Sequence, residues 1–316
     1  MERPMSDTAV LLMAYGSPDR LDQVEAYYTD IRRGRPPTPE QLEELLERYR
    51  AIGGGSPLSS IVELQRAALE RELARRGDPM PVHAGMRHIE PRIGSAVREL
   101  ADDGVRRFVA VAMAPQRSSN AAGYRRAVDA ALETIADPPE ALFVESWHDQ
   151  PRFIEALAAT TREALERFPE PLAARVMFTA HSLPARVVAE GDVYPAELAR
   201  TAALVAGRLG LVHYEFAYQS AGRTEEPWLG PDLLVEIRRL AAEGVRELVI
   251  RPVGFVADHL EVLYDIDIEA QAVAREVGIH LERARSMNDD PTFIAGLADI
   301  VLERLPIAAD RPAGVR

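Results

Sequence analysis

The chain has no cysteine and no lysine. Without cysteine, disulfides, thiolate zinc sites and Cys-ligated iron–sulfur clusters are excluded. Without lysine there is no P-loop lysine, no Schiff base to pyridoxal phosphate and no lysine nucleophile. All 37 basic residues are arginine, against 50 acidic ones, for a net charge of −13. That balance argues against nucleic acid as a partner, while a local arginine cluster can still hold a small anionic ligand. No apolar run reaches the ~18 residues of a membrane span. Nucleotide and acyl-transfer motifs are missing too. Gly53–Gly55 follow a helical pattern and lack the GxGxxG order after a strand, and the GGSPL that begins at Gly54 is not a GxSxG elbow. His181 and Ser182 are adjacent, which cannot easily make a triad. The opening MERPMSDTAV has no apolar signal core, so the cytoplasm is the expected setting.

What is present is a repeat. TAVLLMAYGSP (8–18) and ARVMFTAHSLP (174–184) are each an apolar run, a small residue, one chemically active side chain, two residues and a proline. Aligned, Ala14 falls on Ala180, Tyr15 on His181 and Pro18 on Pro184. Further along, PRIGSAVRELADDGVRRFVAVAMAP (91–115) aligns with PDLLVEIRRLAAEGVRELVIRPVGF (231–255), and WHDQPRFIEALA (147–158) aligns with a stretch inside 286–298. The same fold is built twice. The first copy is longer between Pro18 and Pro91, by an insertion at about 19–60 that holds IRRGRPPTPE, the helical QLEELLERYRA and GGGSPL.

Runs at 9–14, 108–114, 176–180 and 248–253 predict strands buried on both faces, with further strands at 79–86 and 213–220. Amphipathic stretches between them predict helices at 61–76, 92–103, 152–167, 194–209, 232–243 and 291–305. Strands alternating with helices imply parallel sheets. A length of 316 residues with 47% hydrophobic content suffices for two cores. The expected fold is α/β: two similar doubly wound, Rossmann-like domains with a cleft between them. The first, 1–150, carries the Arg/Gly-rich insertion; the second, 151–316, carries the candidate metal site.

In open α/β sheets ligands bind past the carboxyl ends of strands, where Tyr15 and His181 stand. Past the end of strand 248–253 comes GFVADHLEVLYDIDIEA (254–270). Glu261, Asp265 and Glu269 recur every four residues and line one helical face. Three carboxylates in a row repel unless a cation visits, and oxygen donors suit a hard or borderline divalent metal. The plainer reading is an acidic solvent face. Of seven histidines, His181 stands out by its strand-end position. His88 reads as a packing or capping residue. His259, two residues before Glu261, would point elsewhere on a helix. Arg32, Arg33, Arg35, Arg48 and Arg50 crowd the insertion; Glu43, Glu44 and Glu47 are their plain partners on a solvated helix.

Six motifs in order resemble the ferrochelatases, and more closely the coproporphyrin III branch: AYGSP (14–18), RYRAIGGGSPL (48–58), GMRHIEP (85–91), TAHSLP (179–184), YQSAGRTEEPWLGPD (218–232) and GFVADHLEVLYDIDIE (254–269). The resemblance covers almost the whole chain. It implies two α/β halves around a porphyrin, and insertion of Fe²⁺ with release of two protons, a lyase reaction of haem biosynthesis. It makes His181 and Glu261 the metal-handling and proton-accepting pair. Asp265 and Glu269 would continue an acidic track, and Tyr15 would be the axial ligand of the product iron. Arg32, Arg48, Tyr49, Ser56, Tyr124 and Tyr15 would contact the propionates or macrocycle rim, arginine forks suiting carboxylates. Gly53–Gly55 would let backbone approach a flat ligand. Fe²⁺ is then a substrate, with no prosthetic group, and the partners are the porphyrin and, transiently, other haem-pathway enzymes. The chain departs from the family at Gln116, where many relatives read APH before the serine-rich loop. Two alternatives stand beside the coproporphyrin reading: insertion into protoporphyrin IX, and a non-catalytic haem or porphyrin carrier, which would not need His181 with Glu261.

Overall fold

The structure, a computed structural model, describes residues 7–306 apart from 120, 172 and 223. The first sheet contains β1 (Thr8–Ala14), β2 (Val82–Met86), β3 (Arg107–Ala112) and β4 (Glu140–Val144), ordered β2-β1-β3-β4 and parallel throughout. The second contains β5 (Arg175–His181), β6 (Glu215–Gln219), β7 (Glu247–Pro252) and β8 (His280–Arg283), ordered β6-β5-β7-β8 and again parallel. The repeat in the sequence is thus a repeat of topology. The six predicted strands are found; the edge strands β4 and β8 were not expected, being short and partly charged.

Helices clothe both faces of each sheet. In the first half these are α1 (Val24–Ile31), α2 (Pro39–Ala51), α3 (Leu58–Arg75), α4 (Ile93–Asp102) and α5 (Ala122–Leu132), after which α6 (Pro151–Leu165) packs against the second sheet. The second half has α7 (Arg186–Ala189), α8 (Tyr194–Leu209), α9 (Leu233–Ala242), a π-helix (Val262–Ala270), α10 (Gln271–Glu276) and α11 (Pro291–Arg304). Side chains alternate across a strand, so β1 serves two layers. Ala9, Leu11 and Met13 pack with Val97, Leu100 and Val128 of α4 and α5. Val10 and Leu12 turn the other way, into a core with Leu69 of α3, Leu157 of α6 and Leu297 of α11. Val176 and Phe178 of β5 enter that same core, so the inner faces of both sheets share it. Each such Leu or Phe contributes roughly 1.5–3 kcal/mol by leaving water. The helix α11 packs on α3 as well as α6, and Arg76 pairs with Asp299 across that contact at 2.6 Å.

The insertion is ordered by local chemistry. Thr38 caps α2, accepting from the Gln41 amide while the Gln41 side chain accepts from the Thr38 amide, a capping box with Pro39 in the first turn. Gly53 and Gly54, at φ 102° and 97°, turn the chain back, a conformation that a Cβ disfavours. A Cβ on Gly55 would lie 1.9 Å from the Asp19 carbonyl oxygen. The glycine run therefore serves chain reversal and a backbone-on-backbone approach. Ser56 N donates to Pro18 O at 2.8 Å, and Tyr49 Oη shares a 2.8 Å hydrogen bond with Ser17 Oγ. The insertion is thereby sewn to the AYGSP loop after β1.

Candidate active site

The strand ends of both sheets open onto one cleft, whose space, counted out to where it merges with solvent, is about 1200 Å³. From the second half, His181 ends β5. Its Nδ1 donates to the Glu261 carboxylate at 2.9 Å, leaving Nε2 for the cleft. Glu261 is delivered by the loop after β7. Gly254 lets that loop lie on β5, since a Cβ there would come 2.9 Å from that of Ala180. Asp258 pins the loop further, accepting from Arg283, Ser286 and Asn288. Glu261 then leads into the π-helix, whose i→i+5 turns are rare and recur at functional sites.

Burial works against charge on His181, but the Glu261 carboxylate outweighs it, with help from Asp265, and the imidazole's pKa is raised. Burial likewise pushes Glu261 up; His181, His259 and Arg48 overcome it and hold the carboxyl well below its ordinary value. The pair is therefore a charged couple that gains a proton readily on the imidazole and keeps a negative oxygen for a cation.

From the first half, Tyr15 follows β1 and lines the same cleft. Its ring lies 4.5 Å from that of His88, with the Arg87 guanidinium 5.7 Å from its centroid. Burial raises its pKa, against Arg87. His88 is fixed from behind: Nδ1 donates to Asp30 at 2.6 Å, and Arg92 donates to the same carboxylate.

Of the residues singled out from sequence, Tyr15, Tyr49, Tyr124, His181 and Glu261 line the cleft together. The others stand around it. Ser56 is buried beneath the insertion, its Oγ accepting from Leu58 N. Arg32 lies over the Tyr28 ring and donates to Arg35 O. Arg48 reaches across to Asp265, while Arg50 takes Glu43. Asp265 is buried behind Glu261 and also accepts from Ser220. Glu269, half-buried, ends the row. Among the described residues, no three His, Asp or Glu side chains form a group able to hold a metal ion.

Several cleft residues escaped the sequence reading. His259 lines the cleft with Nε2 3.9 Å from Glu261. It precedes the helical segment, so helical spacing was the wrong rule for it. Tyr27 and Gln65 also line the cleft, and Tyr194 Oη donates to the His181 carbonyl at 3.2 Å. Gln116 lines it as well, donating to Val253 O and Thr201 Oγ1 on the second half; its departure from the family pattern was the one available signal.

The family model of ferrochelatase matches residues 7–305. The chain belongs to the ferrochelatase family. A ferrochelatase of Thermus thermophilus is 47% identical over 92% of this chain and 98% of its own length. A protein of Geobacillus kaustophilus named coproporphyrin III ferrochelatase is 42% identical over 96% of this chain and 97% of its own. Among solved structures, SirB from Bacillus subtilis with Fe³⁺ superposes with a TM-score of 0.59 at 12% identity, covering 94% of this chain and 95% of that one. CbiX, described as the terminal enzyme for biosynthesis of sirohaem, superposes at 0.54 and 15% identity, over 94% and 100%. These likenesses carry the two-half chelatase fold. Ferrochelatases are lyases of haem biosynthesis that insert iron into a porphyrin. The ion is this chain's substrate, and without cysteine it has no iron–sulfur cluster. No described helix is long and apolar enough to cross a membrane.

Proposed function

We propose that this ferrochelatase acts on coproporphyrin III and releases iron coproporphyrin III. One observation carries the chemistry: the His181–Glu261 couple, 2.9 Å apart, shares a cleft with Tyr15 from the opposite half. Insertion removes two pyrrole protons while a dication enters. His181 is the proton acceptor, suited to the task near neutral pH. Glu261 holds the incoming cation and steadies the imidazolium. Tyr15 ligates the product iron from the other face, a role for which phenolates have precedent. Asp265 and Glu269 extend the acidic row away from the ring. Residues 1–150 with the insertion supply the carboxylate-binding side, and residues 151–316 the proton and metal side.

The preference for four carboxylates over two rests on Tyr15 and on the arginines of the insertion. Arg32 and Arg48 are both partly accessible, and Tyr49, Ser56 and Tyr124 complete the rim. The Geobacillus relative named for coproporphyrin III supports the same choice. A hydrogen bond to a charged group is typically worth about 1.5–3 kcal/mol, so two further carboxylates bias the enzyme roughly tenfold or more. Anaerobic Fe²⁺ insertion, followed optically with coproporphyrin III and protoporphyrin IX in parallel, tests this. The expected kcat/KM is at least tenfold higher for coproporphyrin. Equal values, or a preference for protoporphyrin, would overturn the substrate assignment; turnover of neither would favour a carrier.

A further inference from the structure

Arg48 and Asp265 come from opposite halves, α2 and the π-helix, and meet in a direct ion pair. Their surroundings are unequal. The Asp265 side chain is 6% exposed, that of Arg48 27%, so the guanidinium can be reached from solvent while the carboxylate cannot. Arg48 Nε is buried with no hydrogen-bond partner, a spare donor on a group made for bidentate carboxylates. Asp265 is held from its other side by Ser220, a non-glycine residue at φ 60°. Such strain persists where the surroundings impose it and clusters at functional sites.

A second orphan lies beside it. Gln219, 2% exposed, stands in register with His181 at the end of the neighbouring strand. Its Nε2 donates to Glu261 O at 3.0 Å and to Asp265 at 3.4 Å, which fixes which end of the amide is oxygen. That oxygen, Oε1, is buried and has no partner. A buried acceptor left unpaired is costly, and a neutral amide oxygen on a residue that touches both Asp265 and the Glu261 backbone is a fitting donor to a hard cation.

We propose that Arg48 couples the two substrates by carboxylate exchange. In the free protein Asp265 is neutralised by Arg48 and gives a cation little. When the macrocycle enters, one of its carboxylates takes the Arg48 guanidinium. Asp265 is released and, with Gln219 Oε1 beside Glu261, forms an oxygen site for the incoming metal. The metal is then bound tightly only once a ring is present to receive it. The coupling rests on the reading of Arg48 as a porphyrin-carboxylate ligand, and it is reciprocal: bound metal must tighten the porphyrin by the same factor.

The test uses Mn²⁺ and zinc coproporphyrin III, whose occupied ring cannot accept the probe ion. Free Mn²⁺ is counted by electron paramagnetic resonance, with zinc coproporphyrin alone as the blank. The expected result is Mn²⁺ affinity at least fivefold higher for the porphyrin-loaded wild type than for the free protein. Asp265→Asn abolishes that gain. In Arg48→Ala the free and loaded proteins bind Mn²⁺ alike, both as tightly as the loaded wild type. Zinc coproporphyrin binding is read separately from its fluorescence. If it binds and Mn²⁺ affinity does not change, or if the gain survives Asp265→Asn, the exchange is wrong while the substrate reading stands. If it does not bind, the substrate reading falls and the exchange with it.

Discussion

At the scale of single residues, His181 and Glu261 act as one unit, and their coupling makes a signed prediction. As the proposed proton acceptor, His181 works only when neutral, so insertion should rise with pH through its pKa, which Glu261 keeps above the ordinary 6.5 despite burial. Glu261→Gln removes the raising charge and leaves the burial. The acid limb of kcat/KM should then move to lower pH even as the plateau falls by about a hundredfold, in the range for losing an acid–base or electrostatic partner. A limb that stays put or moves up would mean that His181 does not set it. For Tyr15, the Phe variant should keep porphyrin affinity within about twofold, since the ring still packs against His88, and should lose the phenolate-to-iron charge-transfer band of the ferric product. An unchanged spectrum would reduce Tyr15 to a packing residue. His181 and Tyr15 were legible because the repeat placed them at matching strand ends. His88, Gln65 and Gln219 were not, because their significance lies in partners 58, 223 and 42 residues away in the chain, which no local pattern reports.

At the scale of elements, four of the strands were plain in the sequence because a strand covered on both faces is an uninterrupted apolar run. The acidic segment after β7 was read as an α-helix with three carboxylates on a face. It is a π-helix over Val262–Ala270, and its middle carboxylate is neutralised by Arg48 from the other half. Helical spacing in sequence cannot tell these turns apart, nor reveal a partner from a distant element. The insertion was visible as an extra, arginine-rich helix with glycines after it, but the purpose of the glycines was not. Gly55→Ala tests the structural account. A Cβ 1.9 Å from the Asp19 carbonyl cannot be accommodated without moving the turn, and Tyr49 moves with it. Porphyrin affinity should fall by about tenfold or more, while hydrogen-exchange protection of β5 and β7 remains. Unchanged affinity in a folded variant would show that the turn does not position the rim.

At the scale of the molecule, the doubled topology was legible from the aligned strand motifs. The shared core was not. Val10, Leu12, Val176 and Phe178 lie in one cluster with α3, α6 and α11, and nothing in the first half's own pattern says that its sheet is also covered by α11 from the second. The consequence is a cleft whose two walls are held by one continuous core, with His181 and Glu261 on one wall and Tyr15 on the other. The account stands on that division of labour, and His181→Ala tests it most directly. Coproporphyrin binding is measured by fluorescence, and anaerobic single-turnover Fe²⁺ insertion is followed on the same preparation. We predict binding within about threefold of wild type and insertion slowed by at least a thousandfold, with no rescue by excess Fe²⁺. Insertion within tenfold of wild type by the folded, porphyrin-bound His181→Ala protein would contradict the account.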